Sequence, residues 1–160
     1  MEFKTVLVPL DGSTLAEGAL PQAAALAKGG AQLIVLRAAE AHTLPTADAT
    51  EAQVKVVREA EQYLTGVKAR LAKEGAARVE TSVWYGPPAD AIVEAARVRK
   101  ADLIVMSSHG RSGLGRLVLG SVAESVLRGT KTPILLIRAE NAPVQPHGGA
   151  ARPAPEATRV

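Results

Sequence analysis

Four short apolar runs, separated by longer stretches of helical period, constrain this chain more than any other feature. They are Thr5-Val6-Leu7-Val8, Leu33-Ile34-Val35-Leu36, Leu103-Ile104-Val105-Met106 and Ile134-Leu135-Leu136-Ile137. Continuous runs this short and rich in branched side chains suit strands of a parallel sheet covered on both faces. A further segment, Arg78 to Tyr85, alternates instead. Val79, Thr81, Val83 and Tyr85 fall on one side, with Glu80, Ser82 and Trp84 on the other, which predicts an edge strand. Between the strands, Val57, Ala60, Leu64, Val67 and Leu71 step by three and four along a helix from about Thr50 to Lys73.

Helix boundaries follow from capping patterns. Thr14-x-x-Glu17, Thr50-x-x-Gln53 and Ser121-x-x-Glu124 resemble capping boxes, Pro87-Pro88 leads into another helix, and Gly29-Gly30, Gly75 and Gly129 lie at helix ends. The order β-α-β-α-β-α-β-α-β implies right-handed crossovers and one five-stranded parallel sheet with helices on both faces, a Rossmann-like α/β fold. Residues 1–138 form the expected domain. Residues 139–160, with four prolines and two adjacent glycines, are expected to be a mobile tail, and 39–49 reads as an irregular connection over a site.

Composition removes several function classes. There is no cysteine, which excludes disulfide frameworks, thiolate catalysis and cysteine-ligated zinc. No apolar run reaches the roughly 18 residues of a membrane span, and the N-terminus lacks a secretory signal, so no membrane association and a cytoplasmic location are expected. The net charge of +3 is spread along residues 1–138, and only four residues are aromatic (Phe3, Tyr63, Trp84, Tyr85). A nucleic-acid binder would show a concentrated basic face, so no nucleic acid is expected as partner.

Four of the fourteen glycines fall within residues 110–120, between the fourth strand and the last helix. A glycine-rich loop that follows a buried strand and ends at a helix start can cradle phosphate with backbone N–H groups. Arg111 and Arg116 add cations, and Ser121 a hydroxyl. Two better-known patterns fail here. Gly115-x-x-x-x-Gly120 is followed by Ser121-Val122 where a P-loop needs Lys-Ser/Thr, and Val118 stands at the third glycine of the dinucleotide fingerprint. A tight strand-to-helix loop, with Ser121 and Glu124 only capping, accounts for the same residues. Asp11, in Pro9-Leu-Asp-Gly-Ser, follows the first strand. It could accept from a ribose hydroxyl, help hold a metal, or simply start an Asx turn. His109 lies in the glycine loop, but His42 and His147 are in unrelated segments, so no histidine metal site is expected. Tyr85-Gly86 follows the third strand where a receiver domain needs its phosphoacceptor Asp. The carboxylates Glu59 and Glu61 point to different sides of one helix and read as solvated.

Pro9-Leu-Asp11-Gly-Ser, SHGRSG, Leu119-Gly120-Ser121-Val122 and Pro133-Ile-Leu-Leu-Ile together resemble the universal stress protein family over about residues 3–138. The resemblance implies strand order 3-2-1-4-5. It also implies the nucleotide-binding signature of glycine, two residues, glycine, nine residues, then glycine and Ser/Thr. Gly110, Gly120 and Ser121 match, with Ser107 in place of the first glycine. By position, Pro9, Asp11 and Ala38 would contact the nucleoside, Asp11 at ribose or adenine and Ala38 at the base through its backbone. Met106 and Ser107 would line the floor, and Gly110, Arg111, Gly120, Ser121 and Val122 would hold phosphate. The implied ligand is ATP, and in an enzymatic version Mg²⁺ would bridge Asp11 and phosphate. No base besides Asp11 is evident, so catalysis beyond slow hydrolysis is not expected. Three charged hydrogen bonds of about 1.5–3 kcal/mol each, less association costs and with adenine burial added, suit affinity on the order of micromolar. The family also implies a homodimer through the last strand, Ile134 to Ile137. The implied function is an ATP-dependent sensor or regulator in stress response. The alternative is a dimeric interaction module of the family's other branch, which binds no nucleotide.

Overall fold

The computed structural model describes residues 2–40, 49–108 and 119–138. The expectations for residues 41–48, the loop residues 109–118 and the tail 139–160 lie outside these. Strands β1 (Thr5–Pro9), β2 (Gln32–Ala39), β3 (Val79–Tyr85), β4 (Leu103–Ser107) and β5 (Ile134–Ile137) form one sheet in the order β3-β2-β1-β4-β5. All neighbours are parallel, with Leu7 opposite Ile34 on one side and Ile104 on the other. Helices α1 (Thr14–Glu17), α2 (Leu20–Lys28), α3 (Ala49–Lys73), α4 (Pro88–Val98) and α5 (Ser121–Gly129) complete the described elements.

The period of two within each strand splits the core into two layers. Val6, Val8, Leu33, Val35, Leu103 and Val105 pack with Ala23, Leu64, Val67 and Leu71 of α2 and α3. Leu7, Ile34, Leu36, Ile104 and Met106 pack with Ile92, Ala95, Ala123 and Val126 of α4 and α5. Continuous apolar runs were needed because both faces of β1, β2 and β4 are covered. β3 sits at an edge as its alternation predicts, but its second side is not purely polar. Trp84 packs against the α4–α5 layer while Val79 and Val83 pack against the other.

The helix ends differ from the sequence reading in four places. Ser13, not Thr14, caps α1, its Oγ accepting from Ala16 N at 3.1 Å. The expected first helix is two helices, because Pro21 in the first turn of α2 has no N–H and its ring excludes the Glu17 carbonyl from a continuous turn. Thr50 lies within α3, and Ser121 is the first residue of α5, whose cap is Gly120. Gly75 does end α3, at φ +97°, with Ala76 N donating to Leu71 O at 3.0 Å. No helix among the described residues is long and apolar enough to cross a membrane.

Candidate functional site

The helices that follow β1 and β2 lie on one face of the sheet, and those that follow β3 and β4 on the other. β1 and β4 are neighbours, so the connections leaving their carboxyl ends diverge and leave a crevice between them. A cavity of about 370 Å³ fills this position. Pro9, Asp11, Ala38, Met106, Ser107, Gly120, Ser121 and Val122 all line it. These are eight of the ten residues singled out from the sequence; Gly110 and Arg111 lie outside the described residues.

Local physics sets each wall. Pro9 is the buried last residue of β1, and beyond it Leu10 N still donates to Leu36 O at 2.8 Å, extending the sheet to the cavity. The chain then turns. Asp11 Oδ1 accepts from Ser13 N at 2.8 Å and from Ser13 Oγ at 2.6 Å, an Asx turn that sets up the α1 cap. Asp11 therefore has the turn-forming role, while its position in the cavity wall leaves the ligand role compatible with it. Gly12 takes φ +85°, a conformation that a side chain strains.

On the opposite wall, Ser107 ends β4 at 7% exposure. Ser108 N donates to Ile137 O at 2.8 Å, and Gly120 N donates to Ser108 O at 2.9 Å. The two ends of the glycine-rich segment are thus pinned together at the cavity. Gly120 has no side chain to cap α5, so the first amides of the helix open onto the wall formed by Ser121, Val122 and Ala123. A helix N-terminus in that setting favours negative charge.

Several further residues line the cavity. Arg37 and Glu40 come from the end of β2, Val56 and Glu59 from α3, Pro88 and Ile92 from α4. Glu59 is exposed as the sequence reading has it, but it stands at the cavity, whereas Glu61 is absent from the lining. Among the described residues no group of three or more potential metal-ligating side chains occurs.

A buttress lies behind the β2 wall. The Tyr63 hydroxyl donates to Glu17 Oε1 at 2.7 Å, and Arg70 reaches Glu17 Oε2 at 2.9 Å. Burial, reinforced by the bond to Glu17, pushes the Tyr63 phenol well above its ordinary value. It stays neutral and keeps its proton on the Glu17 side. The Arg37 guanidinium carbon stands 5.1 Å from the Tyr63 ring centroid, a cation–π contact.

A model of the universal stress protein family matches residues 2–138. The universal stress protein MJ0531 of Methanocaldococcus jannaschii is 32% identical over 140 residues, spanning 85% of this chain and 82% of that protein. Among solved structures, the hypothetical protein MJ0577 superposes with a TM-score of 0.79 at 28% identity, covering 88% of this chain and 99% of the other. A universal stress protein solved in complex with cAMP superposes at 0.69 and 28% identity, covering 87% and 99%.

Proposed function

The chain belongs to the universal stress protein family, and from that premise we propose that its cavity binds an adenine nucleotide, with ATP as the ligand and regulation of a stress response as the purpose. The observation that carries the reading is the convergence of Asp11, Ala38, Ser107, Gly120 and Ser121 on one cavity at the sheet's crossover point. These residues lie in four separate segments of the chain, and a tight loop alone would not require them to meet. The 370 Å³ volume is within the range of small-molecule sites. The cAMP held by the 28% identical neighbour is itself an adenine nucleotide.

In this reading Ala38 presents backbone to the base, Asp11 faces the ribose, and the start of α5 with Gly120 and Ser121 takes phosphate. Mg²⁺ fits only as a passenger of the nucleotide. Asp11 is the carboxylate placed to share it, and this ion is commonly held by one or two carboxylates with phosphates and water. The protein acts as a binder, a cytoplasmic homodimer, and not as an efficient catalyst. Ser107 favours a second reading, a dimeric interaction module without nucleotide, because its buried side chain stands where the signature has glycine.

Calorimetric titration of nucleotide-stripped protein with Mg-ATP, beside the Gly120→Val variant, separates the two. Binding on the order of micromolar that the variant loses supports the cradle. Absence of heat with ATP, together with no competition by AMP or ADP, overturns it in favour of the interaction module.

A further inference from the structure

Arg37 is the one Lys or Arg among the described residues that line the cavity, where Asp11, Glu40 and Glu59 supply three carboxylates. Arg70, Arg97, Arg99 and Arg128 each contact a glutamate, whereas Arg37, like Arg58 and Arg78, pairs with no carboxylate among the described residues. Its guanidinium is held face-on instead. The guanidinium carbon and both terminal nitrogens lie equally, 3.5 Å, from the point where a Cβ on Gly12 would stand, so one flat face fronts the space a side chain at Gly12 would take. The Tyr63 ring also faces it, with its centroid 5.1 Å from the guanidinium carbon, and Tyr63 is fixed in turn by Glu17.

A guanidinium so held has little freedom to stack on a base. What remains is its edge, a fork of N–H donors matched to the paired oxygens of phosphate or carboxylate. The location adds a constraint. Arg37 lies near the end of β2 on the α3 side, while the amides that open α5 lie beyond the end of β4, with β1 between the two strands. Two strand spacings separate the two points by roughly 10 Å, so they serve different groups of one ligand. The three carboxylates would repel a second anion at the β2 end unless a cation met it there.

We propose that Arg37 is a specificity-determining residue that receives a second phosphate, so that the favoured ligand is an adenine nucleotide phosphorylated on the ribose 3′ hydroxyl as well as the 5′ position. The assignment rests on the nucleotide-binding reading and sharpens it. One phosphate goes to the start of α5, and the ribose phosphate goes to the fork of Arg37.

The test compares the affinities of AMP and adenosine 3′,5′-bisphosphate by calorimetry, for the wild type and for Arg37→Met. The wild type is expected to prefer the bisphosphate by roughly tenfold or more, and the variant to bring that ratio close to one. A wild type without preference overturns the proposal, as does a variant that weakens both ligands in the same proportion, which marks Arg37 as packing for α3. Should Arg37→Met fail to fold, Arg37→Lys gives the same readout: a reduced ratio supports the guanidinium fork and an unchanged one overturns it. If neither nucleotide nor ATP binds the wild type, the nucleotide reading itself falls; if ATP and AMP bind without a bisphosphate preference, only the Arg37 assignment does.

Discussion

The Tyr63 hydroxyl donates to Glu17 Oε1 across 2.7 Å, joining the middle of α3 to the end of α1 beside the cavity. That bond is half-buried, and the carboxylate it reaches is already held by Arg70 at its other oxygen. Tyr63→Phe keeps the ring under Arg37 and removes only the donor. It should cost about 1 kcal/mol, a fall of roughly 2–4 °C in Tm. The loss should also depend on pH. Because the folded phenol is raised above its ordinary 10.0, its contribution is complete below pH 10 and is lost as pH rises toward the folded value. Thermal melts at pH 7 and above pH 10 should therefore show the wild type's advantage shrinking at alkaline pH. An advantage that stays constant would show that the phenol is not perturbed.

Glu80 on the edge strand β3 predicts the opposite pH dependence. The hydrogen bond from Arg99 holds its carboxyl below the usual carboxylate value, burial opposes this, and the Arg99 charge and a bond from Gln32 Nε2 at 3.1 Å add to the lowering. The pair ties β3 to the end of α4, but Glu80 is 42% exposed and Arg99 31%, so solvent screens it. Glu80→Gln should cost under about 1 kcal/mol. The folded value is depressed, so the contribution is present above pH 4.5 and disappears as pH falls through the folded value. Urea midpoints of the two proteins should differ slightly at pH 7 and converge in acid. A gap that widens in acid would contradict the pairing.

Much of the fold was legible because it rests on local rules. Strands buried on both faces cannot alternate, so their runs stand out, and Gly75 marks the end of α3 because few other residues tolerate its φ of +97°. The helix starts were read less well. Ser13 and Thr14 are equivalent as caps by residue type, and the choice falls to Ser13 because Asp11 holds its hydroxyl and its amide. Pro21 did carry a readable signal, since a proline there forbids one continuous first helix. The site was half legible. Asp11 and the glycine-rich segment could be placed by topology and the other site residues by the family resemblance, and eight of the ten share the cavity. Arg37, Glu59 and Ile92 could not, because a side chain one position along β2 or halfway along a helix reaches the cavity only through tertiary packing.

Lys100 offers a gain in stability. It ends α4 at φ +51°, the left-handed position that glycine ordinarily takes, while Ala101 N closes the helix on Ala96 O at 2.9 Å. Holding a side chain there costs about 1 kcal/mol, part of which glycine returns through its freer unfolded chain. Lys100 is exposed and lines no part of the cavity. Lys100→Gly should therefore raise stability by about 0.5–1 kcal/mol, read as a higher Tm with unchanged nucleotide titration. Lys100→Val, β-branched at the same φ, should lower it. A glycine variant that melts lower than the wild type would refute the strain.

The proposed homodimer can be tested at β5, the edge opposite β3. β4 pairs one side of β5, and among the described residues nothing pairs the other. Ile134 and Leu136 pack into the α4–α5 layer and Ile137 against the other layer, while Leu135 is 39% exposed. An apolar side chain on an open strand edge invites a second strand, and a lysine there is a common natural block. Leu135→Lys changes the residue of β5 that neither core cluster includes, so folding should survive it. Light scattering should give the mass of two chains for the wild type and one for the variant, with both melting cooperatively. A monomeric wild type would remove the dimer from the reading. A dimeric Leu135→Lys would instead move the interface away from this edge, toward the exposed Leu127 on α5 or Val98 on α4.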